Sequence, residues 1–218
     1  MNNLFSFSKL KLPVRLFGLL LISSLITCLS GWIITHELDR ASTEFLQYTL
    51  LLWCGTLSFY WVFKKRFYEA ISIPIIYFFL FLDDSIGLHD IFANSIFLKF
   101  YKQYFTFPLE KYIRIDHAGE ILYWLSLGIV LIIISFPGLK SNSPLIRKFI
   151  VKNYAFFSGL AFFAIFIDVI NGNWENWISL DLYNLTWFIN VSLTIFEEFG
   201  ETLVMSLSCI WLFGLNFD

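Results

Sequence analysis

Between Leu185 and Leu215 the chain is almost entirely apolar, yet inside that run stands Phe196-Glu197-Glu198-Phe199-Gly200-Glu201. At about 1.5 Å rise per residue the run is long enough to cross a bilayer as a helix. On that helix Asn190, Thr194, Glu197, Glu201 and Ser208 fall within a sector of roughly 60°, with Glu198 just outside it. A charged side chain at bilayer depth costs roughly 2.5–3.5 kcal/mol even on the most lenient scale, so such a stripe turns to a protein interior and marks a functional site. The stretch therefore demands partner helices and something that neutralises its glutamates.

The rest of the chain supplies the partners. Over 218 residues it is 58% hydrophobic, 21% aromatic and only 15% charged, with a mean hydropathy of +0.70, too apolar for an ordinary soluble domain. The expected fold is all-α, a polytopic membrane protein of about six helices in a single domain over residues 1–218. Spans are expected over 16–34, 45–63, 68–87, 118–136, 154–170 and 185–214, with an interfacial segment over 91–112. In that segment Phe97, Phe100, Tyr101 and Tyr104 interleave with Lys99 and Lys102, as in a helix lying along a membrane surface. The first apolar stretch follows Lys9, Lys11 and Arg15 but exceeds the h-region of a signal peptide, so it is read as an uncleaved anchor. Pro74 is expected to kink the third span, Pro137-Gly138 to stop the fourth, and Asn171-Gly172-Asn173 to stop the fifth. Between the last two, Lys140, Arg147, Lys148 and Lys152 read as a basic loop.

Lys and Arg counts on alternating sides set the orientation. With the N-terminus inside, ten of the 15 basic residues fall on the inner side, so both termini are expected in the cytoplasm and the membrane is expected to be the bacterial inner (plasma) membrane. After Lys152 there is no Lys or Arg, while seven acidic residues remain, which excludes nucleic acid as a natural partner. Cys28, Cys54 and Cys209 are widely spaced in apolar spans and read as buried free thiols.

This topology carries acids from four helices to one side of the membrane. The third span ends at Asp83-Asp84, followed by Gly87-Leu88-His89-Asp90. The fourth opens with Asp116-His117-Ala118-Gly119-Glu120, the fifth ends near Asp168, and the sixth brings Glu197, Glu198 and Glu201 from the same side. Asp116, Glu120 and Tyr123 share a helical face; His89 points away from Asp83 unless the helix breaks at Gly87. Seven carboxylates at or in the spans, Asp83, Asp84, Glu120, Asp168, Glu197, Glu198 and Glu201, would cost on the order of 20 kcal/mol if all were ionised at depth. Water, shared protons or a metal must neutralise them.

Carboxylates with one or two imidazoles suit a divalent metal, Zn, Fe or Mn. The expected ligands are Asp83, Asp84, His89, His117, Glu120, Glu197 and Glu201, with Glu198 and Asp168 as catalytic groups. Carboxylates on four helices with histidine in two motifs resemble in composition the carboxylate-bridged di-metal bundles, whose ligands project inward from facing helices. Those proteins use Glu-x-x-His on two helices, whereas here His117-x-x-Glu120 is reversed. Membrane hydrolases of the alkaline ceramidase type bind zinc through three histidines, two of them in a His-x-x-x-His pair; His36, His89 and His117 contain no such pair. The expected chemistry is metal-assisted, on a membrane lipid or a lipid-linked substrate: either a metal-activated water attacks it, as in a hydrolase, or two metals and oxygen act on an acyl chain, as in a di-metal oxidoreductase. A proton- or cation-coupled transporter using the acids as a relay, and a non-catalytic membrane subunit, remain open alternatives.

Overall fold

The computed structural model describes residues 40–105, 109, 112–177 and 183–215, so the expected first span and Pro108 lie outside the described residues. Every regular element among the described residues is helical. Helix α1 (Arg40–Lys64) leads through a 3-10 turn (Tyr68–Ala70) into α2 (Ser72–Ile86). Beyond Gly87, α3 (Leu88–Ile91), a π turn (Phe92–Phe97) and α4 (Leu98–Tyr104) follow as one bent unit. Then come α5 (Ile115–Leu139), α6 (Pro144–Ala161), a second π turn (Phe162–Ile167), α7 (Asp168–Trp177) and the long α8 (Tyr183–Phe213).

Two segments are long and apolar enough to cross a membrane, Ile115–Leu139 and Pro144–Glu175. A third qualifies if Tyr68–Ile86 and Leu88–Tyr104, bent by 62° at Gly87, form one broken span. Gly87 supplies that bend: it takes a left-handed φ of 68°, a conformation that only glycine adopts without strain, and its N–H bonds the Asp83 carbonyl at 2.7 Å, capping α2.

Several local signals resolve differently from their expected roles. Pro74 lies in the first turn of α2, where its missing N–H costs no helical bond, so it starts the helix instead of kinking it. Helix α5 runs through Pro137 to Leu139. Arg147, Lys148 and Lys152 are not in a loop; Pro144 opens α6 immediately before them. Asn171-Gly172-Asn173 does not stop its helix, which continues to Trp177.

Packing divides the molecule into a dry end and a polar end. At the dry end Leu51, Cys54, Ile73, Ile76, Phe149, Ile150, Cys209 and Leu212 are almost fully buried, joining α1, α2, α6 and α8. Two of their polar neighbours bond internally: the Trp61 indole N–H donates to the Leu212 carbonyl at 2.8 Å, and the Tyr77 hydroxyl to Asn153 Oδ1 at 2.9 Å. The other ends of α2, α5 and α8, with the start of α7, enclose the acids.

Candidate metal centre

A cavity of about 630 Å³ occupies the polar end. Among the described residues nine carboxylates line it, against Arg114 as the only Lys or Arg in its wall. Asp83 and Asp84 come from the end of α2, with His89 and Asp90 just past the Gly87 bend. Asp116, His117 and Glu120 come from the first turns of α5, Asp168 from the start of α7, and Glu197, Glu198 and Glu201 from the middle of α8. Every residue singled out in the sequence as a ligand or catalytic group thus faces one cavity, although their surroundings there differ. Arg114 is engaged by Asp116, its Nε donating to Oδ1 at 3.2 Å and its Nη2 pairing with Oδ2.

Local structure explains how the elements converge. The π turn over Phe162–Ile167 carries one extra residue per turn and so resets the face on which Asp168 emerges, a device common beside functional sites. Phe163 of that turn lies flat on Gly200, where a Cβ would stand 2.1 Å from its ring, which brings the turn against the acidic stretch of α8. The Gly87 bend does the same for His89. Six residues past Asp83, it would lie about 120° away on an unbroken helix; after the bend its Nδ1 meets Asp83 Oδ2 at 2.8 Å.

Asp83 is 1% exposed. Its second oxygen accepts from the Tyr123 hydroxyl at 2.6 Å, so both oxygens are engaged and it stands behind His89 as an orienting group. Because a carboxylate only accepts, Nδ1 of His89 carries the proton, and in the neutral ring Nε2 keeps its lone pair, 3.8 Å from Asp90 Oδ2. The imidazole lies against Trp124, ring centroids 5.8 Å apart.

In the same cavity, His117, Glu120 and Asp168 each offer a ligand atom, all within 4.8 Å of one another, and this group could hold a metal ion. Its nitrogen and two carboxylate oxygens suit Zn, Fe or Mn equally, so the metal's identity is open. His117 is 6% exposed, and Gly172 makes room for it: a Cβ there would lie 1.8 Å from the ring's Cε1. The ring's partners are Asn173 and Asp168. Asn173 Nδ2 lies 2.7 Å from Nδ1, and Nε2 points towards Asp168 Oδ2 at 4.0 Å.

Two of the three α8 glutamates, Glu197 and Glu198, accept from neutral amides. Gln47 Nε2 donates to Glu198 Oε2 at 3.1 Å. Asn171 Nδ2 donates to Thr194 Oγ1 at 3.0 Å and, more weakly, to Glu197 Oε2 at 3.4 Å. Gln47, Asn171, Asn173 and Arg114 are the site residues that sequence reasoning passed over; Tyr123 was placed on the face of Asp116 and Glu120, but not against Asp83. Asn171-Gly172-Asn173 between Asp168 and Trp174 was a signal, but it reads equally as a helix stop.

Comparison with protein-family models, with curated proteins and with solved structures finds no match for the chain. Among the described residues the chain is helical, with two segments long and apolar enough to cross a membrane and a His/Glu/Asp group able to take a metal.

Proposed function

We propose that the chain is a six-span membrane protein with both termini in the cytoplasm and that its cavity, open to the outer face, binds a divalent metal at His117, Glu120 and Asp168. The observation that carries this reading is the charge imbalance, nine carboxylates facing one arginine that Asp116 already engages, around three ligand atoms within 4.8 Å of one another. Carboxylates at membrane depth need cations or protons, and a divalent ion neutralises two at once.

The chemistry that fits is hydrolysis of a lipid or lipid-linked substrate. A divalent ion at this site would polarise water and a substrate oxygen. The chain's own groups do the rest. Glu198, held by Gln47, and His89, held by Asp83, both face the cavity and can accept the proton that water releases. Apolar side chains such as Leu80, Leu131 and Phe157 continue the cavity wall away from the acids and suit an acyl chain.

The test is metal content. The protein is purified in detergent without added metal and assayed by mass spectrometry beside a Glu120→Gln/Asp168→Asn variant. Wild type is expected to retain one metal ion per chain and the variant none. If wild type is empty and also fails to bind added zinc or manganese while folded, the metal reading is wrong, and proton flux in liposomes becomes the measurement for the same acids.

A further inference from the structure

We propose that Asn173 is a positioning residue that fixes His117 as an Nε2–H donor in the metal-free protein, and that its amide must turn over before Nε2 can ligate a metal. The argument starts from the orientation of one amide. Asn173 is fully buried, and its Oδ1 accepts from the backbone N–H of Arg114 at 2.7 Å. Its Nδ2 donates to the backbone carbonyl of Val169 at 2.8 Å. A backbone N–H can only donate and a backbone carbonyl only accept, so the two contacts leave no freedom in which end is oxygen and which nitrogen.

The remaining Nδ2 hydrogen points at His117 Nδ1, 2.7 Å away. Nδ1 must therefore accept, and the neutral ring's proton sits on Nε2, the nitrogen that faces Asp168. A metal at Nε2 requires the opposite tautomer, with the proton on Nδ1. Asn173 would then have to present oxygen to Nδ1, placing its nitrogen against the Arg114 N–H. Metal-binding histidines ordinarily donate this second N–H to a carboxylate or carbonyl; here the partner is a donor held in place by two backbone groups. Asn173 thus opposes metal entry and would exchange its bonds when a metal arrives. The metal half of this inference rests on the proposed metal site; the tautomer half does not.

Asn173→Asp tests both. A carboxylate at this position keeps an acceptor for the Arg114 N–H and offers its second oxygen to an Nδ1–H, at the loss of the bond to the Val169 carbonyl, converting the pair into the ordinary carboxylate–histidine arrangement. Histidine-selective ¹⁵N labelling reads the tautomer in the metal-free protein in detergent, with His117→Gln identifying the signals. Zinc titration by calorimetry reads the affinity. We expect Nε2–H in wild type, Nδ1–H in Asn173→Asp, and zinc binding about 10- to 100-fold tighter in the variant.

An Nδ1–H signal in wild type overturns the inference without any substitution, so it stays testable even if the variant fails to fold. Zinc binding by Asn173→Asp that is unchanged or weaker, with wild type binding normally, overturns it as well. The expected tautomers with no zinc bound by either protein support Asn173 as the positioning residue and sink the metal reading instead.

Discussion

The cavity holds two histidines in opposite arrangements. His89 donates a hydrogen bond from Nδ1–H to a buried carboxylate and keeps a lone pair on Nε2; His117 accepts a hydrogen bond at Nδ1 from a buried amide and points Nε2–H at Asp168. Both neighbours, Asp83 and Asn173, are essentially inaccessible to solvent, 1% and 0% exposed, so each ring is oriented by a buried residue. At one corner the bonding leaves a ring nitrogen with its lone pair, and at the other it leaves a ring nitrogen with its proton. The difference lies in the backing residue and not in the ring.

The largest expected effect separates a structural corner from a reactive one. Asp83→Ala strips the acceptor from the Tyr123 hydroxyl and from His89 Nδ1. Hydrogen bonds to a charged group are worth about 1.5–3 kcal/mol each, and breaking a buried pair from one side costs about 3–5 kcal/mol. Unfolding in detergent should show a loss of that size, whereas Glu120→Ala, half-buried with no such pair of fixed donors, should lose little or gain. Equal losses would break the comparison, because Asp83 and Glu120 would then be the same kind of group.

A second substitution acts on the other corner. Gly172→Ala would favour the helix by about 1 kcal/mol on intrinsic propensity, but its Cβ would stand 1.8 Å from Cε1 of His117. Overpacking of this kind costs about 1–3 kcal/mol, so the variant should be destabilised and should lose zinc binding, since the ring has to leave the group it forms with Glu120 and Asp168. A more stable protein with zinc binding intact would show that the ring is not confined by Gly172.

These contacts also show what the sequence could and could not disclose. The apolar centres of Ile115–Leu139 and Pro144–Glu175, expected over 118–136 and 154–170, were legible because hydropathy is a property of consecutive residues, while the ends of the second segment, read as a basic loop and a stop, were not. The gathering of Asp83, Glu120, Asp168 and Glu197 was legible once alternating helices placed their acidic ends on one side. The roles of Asn173 and Tyr123 were not, because each depends on a partner far away in the chain: Asn173 on His117 and Arg114, Tyr123 on Asp83. Asn-Gly-Asn is locally the signal of a helix end; only the ring lodged against Gly172 makes it a notch in a continuing helix. Likewise nothing local decides that Gly87 bends the chain by 62°, though the phase of His89 required a break if it was to meet Asp83.

The smallest expected effect is also the sharpest test of the comparison. Asp83→Asn is nearly isosteric and keeps an oxygen for the Tyr123 hydroxyl, so Tyr123 holds the amide with its oxygen towards the ring of α5 and its nitrogen towards His89. Losing the carboxylate's charge weakens both bonds, and stability should fall by about 1 kcal/mol. An Nδ2–H now faces His89 Nδ1, reproducing around His89 the arrangement that Asn173 imposes on His117. The ¹⁵N signals of His89 should therefore move from Nδ1–H to Nε2–H while those of His117 stay where they are. If His89 keeps its proton on Nδ1, the amide has turned and Tyr123 is the weaker anchor. Backing by a single side chain would then be insufficient to set a ring, and the two backbone bonds on Asn173 would be the feature that distinguishes the His117 corner.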